Sequence, residues 1–257
     1  MAEELVLVER EGDVITITMN RPKRRNALSL ELLEALLQAF RQAGDTDATG
    51  VILAGAGPAF SAGHDLGAMV GAPLPQMHKL LRTCTEVMDT MQYIPQVVIA
   101  RVHAVATAAG CQLVAAADLA VAAGNATFAA PGGKGGWFCT TPMVAIGRSI
   151  GRKQALELAL TGDSIDAQTA WSWGLINRVV EEEELEEATL ELLGRATRGS
   201  AASRAMGKRA LHRQLGMDQE SAYDYAIEVM AAASQLEDAQ EGMLSFVEKR
   251  PAEWKHR

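Results

Sequence analysis

Gly50-Val51-Ile52-Leu53-Ala54-Gly55-Ala56-Gly57-Pro58-Ala59-Phe60-Ser61-Ala62-Gly63-His64-Asp65-Leu66 decides the reading of the fold. Residues 50–54 have the composition of a buried strand, and the chain then passes through small residues into a helix start. Backbone N–H groups converge at such a junction, because small residues leave the turn uncrowded and the first turn of a helix has unpaired donors. A second junction of the same kind follows, where Val97-Val98-Ile99-Ala100 leads through Val105-Ala106 to Ala108-Ala109-Gly110-Cys111-Gln112-Leu113. Donors from two such turns can face one developing oxyanion.

Working outward, Val14-Ile15-Thr16-Ile17-Thr18-Met19 reads as a strand, with residues 5–9 a weaker partner before it. Ser29 is placed to cap a helix that carries Leu32, Leu33, Leu36, Leu37 and Phe40 on one face. A helix over 77–91, a strand over 96–102, a helix over 108–117 and short strands near 119–122 and 126–129 follow. This strand-strand-helix beat predicts an α/β chain built as a spiral of ββα units in place of a doubly wound sheet. From residue 143 the pattern is helical, at 143–150, 153–160, 167–173, 184–195, 202–214, 219–236 and 240–248. Arg198-Gly199-Ser200 is loop punctuation and divides a core, 1–199, from a helical region, 200–257. That region has too few large apolar residues to form a core alone, so its apolar face is expected to pack on the main domain or on another subunit.

The 257 residues are 22 % charged and 48 % hydrophobic, as in an ordinary soluble globular protein. A net charge of −8 argues against nucleic acid and against an anionic membrane surface as partners. An anionic ligand needs a local basic patch, and Lys23-Arg24-Arg25 is the candidate. Cys84, Cys111 and Cys139 form neither a disulfide framework nor a zinc pattern, and His64, His78, His103, His212 and His256 are isolated, so no metal is expected. The acidic start Met1-Ala2-Glu3-Glu4, with no signal or transit pattern, joins the unpaired cysteines in predicting a cytosolic setting. No stretch approaches the length of a membrane span. Gly55-Ala56-Gly57 fails the dinucleotide fingerprint at Phe60, and Trp137-Phe138 stands where a phosphate loop needs Lys-Ser/Thr after Gly132-Gly133-Lys134-Gly135-Gly136. A G-x-S-x-G elbow is missing too.

Nearly the whole chain resembles the crotonase (enoyl-CoA hydratase/isomerase) superfamily. The resemblance is carried by Ile17-Thr18-Met19-Asn20-Arg21-Pro22, Asn26-Ala27-Leu28, the 54–66 turn, the 102–111 turn and Phe128-Ala129-Ala130-Pro131. Further along it is carried by Leu160-Thr161-Gly162-Asp163-Ser164-Ile165-Asp166-Ala167, the 173–180 segment and Phe246-Val247-Glu248-Lys249-Arg250-Pro251. It implies a crotonase-like ββα spiral, a C-terminal trimerisation region, and a homo-trimer or hexamer formed as a dimer of trimers. It also implies an acyl-CoA thioester ligand and no separate cofactor, since coenzyme A arrives as part of the substrate.

By position, the N–H groups of His64 and Ala109 are expected to face the thioester oxygen. Ala27, Ala62, Gly63, Asp65, Leu66, Gly110 and Gly132 fall among the substrate-contacting positions, and Ala108 and Ala109 replace glycines common in the family. Lys23, Arg24 and Arg25 either meet CoA phosphates or form a solvated turn. The departure lies in proton transfer: the positions of the two hydratase glutamates read Gln112 and Gly132. An amide cannot exchange a proton near neutrality, and glycine has no side chain. The chain therefore resembles the enoyl-CoA hydratase domain-containing protein 3 branch, which lacks both acids. Cys139 lies near a position where some members carry a catalytic aspartate; it reads either as a reactive thiol or as a buried structural cysteine. His64 reads either as a proton-transfer group or as a helix-start residue facing solvent. An acyl-CoA enzyme with little true hydratase activity, a non-catalytic CoA-ester-binding protein, and a thioester hydrolase or lyase using Cys139 or His64 are the functions this composition allows.

Overall fold

The computed structural model describes residues 4–256, so Met1-Ala2-Glu3 of the acidic start lies outside it. The chain opens as a hairpin, β1 (Val6–Glu11) antiparallel to β2 (Val14–Met19), followed by α1 (Leu30–Gly44). The Ser29 hydroxyl accepts from Leu32 N–H and caps α1, whose Leu32, Leu33, Leu36 and Phe40 are wholly buried. Three strand pairs then alternate with helices. They are β3 (Gly50–Gly55) with β4 (Ala59–Ser61), β5 (Val97–Val102) with β6 (Val105–Thr107), and β7 (Leu119–Ala123) with β8 (Thr127–Ala129). Between them stand α2 (Leu66–Met69), α3 (Leu74–Tyr93) and α4 (Ala109–Ala116).

The first strand of each pair enters a six-stranded sheet, in which β10 (Arg178–Val180) is the far edge and the order is β1-β2-β3-β5-β7-β10. The second strand enters a four-stranded sheet ordered β4-β6-β8-β9, closed by β9 (Ile165–Asp166). One turn of chain thus adds a strand to each sheet, which is the ββα spiral the sequence pattern predicts. β4, β6, β9 and β10 have no strand counterpart in that pattern. They are only two or three residues long, too short to show a period of two, and their places are fixed by the neighbouring strand. The helix expected at 77–91 begins one turn earlier, with Pro75 in its first turn, where a missing N–H costs nothing.

The main core lies between the sheets and helices α1, α3 and α4, around Phe40, Phe60 and Phe128. The opposite face of the large sheet, Ile52, Val97, Ile99 and Val121, is covered by Leu185 and Leu193 of the later helix over 185–196. Before it come α5 (Pro142–Ser149), α6 (Arg152–Thr161) and α7 (Ala167–Trp173); that helix is α8 (Leu185–Ala196). The last three are α9 (Ala201–Gln214), α10 (Gln219–Ala233) and α11 (Glu237–Glu248). Ser200 caps α9, so the punctuation at residue 199 is a true helix boundary. α9 is nonetheless tied to the spiral. Lys208 Nζ reaches Asp118 at 2.6 Å and donates to the carbonyls of Met91 and Gln96, while Asp118 also accepts from Val98 N–H and meets His212. α10 buries no residue of its own, and Tyr223, Ile227 and Met230 on it are exposed, as are Phe246 and Val247 on α11. No helix among the described residues is long and apolar enough to cross a membrane.

The Lys208–Asp118 pair is buried on both sides, so removing one partner leaves a charge without compensation. Lys208→Met is expected to lower the unfolding free energy by about 3 kcal/mol, toward the low end of such changes because Val98 and His212 still hold Asp118. Urea denaturation of the two proteins measures it.

Candidate active site

Two glycines bring the junctions together. A Cβ on Gly63 would lie 2.9 Å from both the Ala108 Cβ and the Thr107 carbonyl oxygen, and 3.3 Å from Ala109 N. A Cβ on Gly110 would lie 2.4 Å from the Ser61 carbonyl oxygen. Both turns therefore interlock backbone to backbone, and Gly63 also takes a φ of +81°, which favours glycine. Among the described residues, neither the His64 N–H nor the Ala109 N–H has a hydrogen-bond partner. These are the two donors expected at an oxyanion position. Ala108 precedes them at φ 51°, ψ −118°, a region costly for any residue with a Cβ.

The 21–28 loop is fastened beside the first turn. Leu28 N donates to Gly63 O at 2.7 Å, Asp65 N to Leu28 O at 3.1 Å, and Ala62 N to Arg25 O at 2.9 Å. Asn26 locks this arrangement. It is wholly buried, its Nδ2 donates to the carbonyls of Ala56, Ala59 and Phe60, and its Oδ1 accepts from Arg21 N. Its role was visible in the sequence only as part of the family resemblance. Lys23, Arg24 and Arg25 sit exposed on a 3-10 turn, and Ala27 is partly buried beside them.

A cavity of about 760 Å³ opens against the two turns. Ala62, His64, Leu66, Ala109, Gly132 and Cys139 among the expected residues line it. Thr107, Leu81, Lys134, Trp137, Phe138 and Thr141 also line it and were missed, since nothing in their local pattern separates a cavity wall from a core or a loop. No aspartate or glutamate among the described residues lines this cavity. Asp65, expected at the ligand, pairs instead with Arg21 at 3.1 Å, and Arg21 also donates to Ala27 O. Gly110 acts through packing on Ser61. Gln112 is buried one turn into α4, and its Oε1 has no partner. No cluster of three metal-ligating side chains occurs among the described residues.

The second acid position is filled as well as empty of a side chain. A Cβ on Gly132 would stand 2.2 Å from Trp137 O and 2.8 Å from Cys139 Sγ. Cys139 Sγ accepts from Gly132 N–H at 3.3 Å, and burial raises its pKa above the usual thiol value. At neutral pH it is a protonated thiol, the form least suited to nucleophilic attack. Its neighbour Cys111 is fully buried and pushed up to about 12 by desolvation. His64 is not the solvent-facing residue that one of its two sequence readings allowed. Only 8 % of it is exposed, neither ring nitrogen is closely hydrogen-bonded, the Leu28 backbone interacts with the ring more loosely, and the ring lies 6.3 Å from that of Trp137. Burial lowers its pKa below 6.5, so the imidazole is neutral at pH 7.

Gly132→Ala is expected to destabilise the chain by about 2 kcal/mol or more, because the Trp137 carbonyl must move, in line with overpacking of a close site. Ala108→Gly should act oppositely and stabilise by about 1 kcal/mol, the relieved strain exceeding the added chain entropy. Both are read from denaturation midpoints. The lowered pKa of His64 has a signed consequence. Unfolded chains protonate this histidine near pH 6.5 while the folded one resists, so stability is lost as pH falls from 6.5 toward the folded value. Above 6.5 the group contributes no slope, and in His64→Gln the loss with acidification should be smaller.

Residues 9–257 match the enoyl-CoA hydratase/isomerase family. Enoyl-CoA hydratase domain-containing protein 3, mitochondrial, from Danio rerio is 42 % identical over 98 % of this chain and 88 % of its own length. The Rattus norvegicus protein of that name is 41 % identical over 98 % and 85 %. Among solved structures, an enoyl-CoA hydratase from Mycobacterium smegmatis superposes with a TM-score of 0.94 at 44 % identity, covering 98 % of this chain and 99 % of that one. Human enoyl-CoA hydratase domain-containing protein 3 superposes at 0.91 with 37 % identity, covering 98 % and 100 %. These relatives correct the cytosolic expectation, because the zebrafish and rat proteins are named as mitochondrial. Unpaired cysteines do not choose among reducing compartments, which is why they pointed to the cytosol without deciding it. The chain belongs to the crotonase superfamily, as an enoyl-CoA hydratase/isomerase family member similar to enoyl-CoA hydratase domain-containing protein 3.

Proposed function

We propose that this protein binds an acyl-CoA thioester with its acyl group in the 760 Å³ cavity and its thioester oxygen on the His64 and Ala109 N–H groups. The observation that carries this reading is the pair of unpartnered donors on one cavity wall, held by turns that leave no room for side chains. Such preorganised donors gain most where charge grows on the oxygen, in an enolate or tetrahedral intermediate. Leu66, Leu81, Trp137 and Phe138 offer an apolar wall for the acyl chain. Lys23, Arg24 and Arg25 supply the charge for CoA phosphates on the loop fastened to the first turn. Simple hydration is weak here, since a cavity without a carboxylate has no acid or base of the usual kind to activate water. The same absence supports the second reading, a CoA-ester-binding protein with little turnover. A Cys139-dependent thioester hydrolase is less well supported, because the thiol is held protonated. The exposed apolar residues of α10 and α11 support association into a homo-trimer or a dimer of trimers.

Calorimetry should show acyl-CoA binding that weakens with salt, and replacing Lys23, Arg24 and Arg25 together by alanine should weaken it further. Equal affinity in that variant would sink the phosphate assignment. Hydration of crotonyl-CoA, followed by loss of enoyl-thioester absorbance, is expected below about 0.1 per second, since a positioned acid–base group contributes about 10² or more to a typical rate of about 10 per second. Gln112→Glu restores one carboxylate and tests whether that deficit is chemical. Gly132 is not a site for the other, for want of space. Sedimentation at micromolar concentration should show no monomer; a clean monomer removes the oligomer assignment.

A further inference from the structure

His64 is a buried polar group that the oxyanion reading leaves unexplained. That reading uses only its backbone N–H, yet its imidazole lines the same cavity with neither nitrogen closely hydrogen-bonded and only a looser interaction with the Leu28 backbone. A buried donor or acceptor without a partner costs about 1–3 kcal/mol, so an orphaned ring is retained where a bound molecule completes it or a reaction uses it. Of the other protic groups on the cavity wall, the Thr107 and Thr141 hydroxyls are too weakly basic to take a carbon-bound proton, and three more have partners. Lys134 is ion-paired with Asp163, Cys139 Sγ is held on Gly132 N–H, and the Thr140 hydroxyl donates to Phe138 O. The ring nitrogens are also shielded from solvent, with Trp137 beside them. Trp137 follows the glycine-rich arm 132–136, where Gly136 takes a φ of +80° and a Cβ on it would meet nothing within 4 Å. Its indole is half exposed.

Resting on the acyl-CoA reading, we propose that the His64 imidazole is the proton-transfer group of this site, reached when Trp137 swings aside, and that the reaction it serves is enolate-forming proton exchange at C2 of the acyl group. A ring nitrogen takes the C2 proton. The C–H electron pair becomes the C1=C2 bond, and the carbonyl π pair moves onto the oxygen held by the His64 and Ala109 N–H groups. Return of the proton to C2 gives exchange. On a 3-enoyl thioester, return to C4 shifts the double bond into conjugation. No water is added and no other reactant is consumed, so one base is sufficient where hydration requires water to be activated and a carbon protonated. That double-bond shift is the isomerase half of the family's name, so what is assigned here is the base, and saturated acyl-CoAs should show exchange alone.

The test is deuterium entry at C2 of butyryl-CoA in heavy water, followed by mass spectrometry, with binding measured in parallel by calorimetry. The wild-type chain should exchange, and His64→Gln should lose about 10²-fold or more of the rate. Affinity should stay within a few-fold, because the backbone donor remains. His64→Ala supplies a second variant, in which added imidazole should restore exchange; a merely structural role would show no such rescue. Binding without exchange in the wild type overturns the proposal and leaves the acyl-CoA reading intact. Loss of exchange in Cys139→Ser with His64→Gln unaffected gives the proton to the thiol and also overturns it. Absence of binding removes both readings.

Discussion

The approach of the two strand-turn-helix junctions sets the geometry on which the rest of the site depends. Ser61 and Gly110 touch through backbone, and so do Gly63 and the Thr107–Ala108 peptide, with no space for a Cβ on either glycine. This contact joins the first and second turns of the spiral at the end of the small sheet, where β4 and β6 run side by side. It also decides which N–H groups go unpaired. His64 lies between Gly63 and Asp65, whose backbone groups both bond to Leu28, and Ala109 starts a helix and has no earlier carbonyl to meet. Unpaired donors are thus produced by the fold itself, and side-chain identity at 64 and 109 is released for other uses. Ala108 bears the remaining cost, held at a left-handed φ by the interlocked turns.

Much of this was legible from residue type. The alternation at Val14–Met19, the Ser29 cap and the apolar face of α1 are local signals, and each element formed where its signal stood. The ββα beat was readable from the first strand of each pair. Of the second strands only β8 was, near 126–129; β4 and β6 are three-residue segments whose pairing comes from the neighbouring turn of the spiral. The two turns with unpartnered N–H groups were legible because small residues after a strand have a backbone consequence that needs no partner to predict. The cavity wall was not found in the same way. Trp137, Phe138 and Leu81 come from different segments, and only the packed chain shows that they enclose one space. Asp65 shows the reverse: a motif position suggested the ligand, whereas Arg21, remote in sequence, claims the carboxylate.

Gly132 stands where the resemblance to the hydratases leads one to expect a second acid. An ordinary loss of a glutamate leaves room for its return. Here the loop closes on the glycine, with the Trp137 carbonyl and the Cys139 sulfur occupying the volume where a side chain would begin. The loop and the residue are therefore one feature. The packing that brings Trp137 beside His64 also excludes a carboxylate at 132. Gln112, the other position where the resemblance leads one to expect an acid, is buried in α4 and does not line the cavity, whose wall carries no carboxylate among the described residues.

An uncharged wall has its own electrostatic logic. The chain carries a net charge of −8, yet none of its acidic side chains among the described residues reaches the cavity, and the imidazole there is kept neutral by burial. With no carboxylate on the wall to oppose them, two N–H dipoles aimed at one point would stabilise an oxyanion there more than the same donors would in solvent. A carboxylate close to the thioester would oppose negative charge building on its oxygen. A neutral base would not, and after taking a proton it becomes a cation adjacent to the enolate, stabilising the charge it has just created. The cost is basicity, since a desolvated imidazole binds its proton less tightly than one in water. Proton removal in such a site therefore depends on the anion and the cation forming together. One of the two donors and the imidazole belong to the same residue, His64, so in the proposed reaction its backbone and its side chain would meet opposite halves of one charge separation.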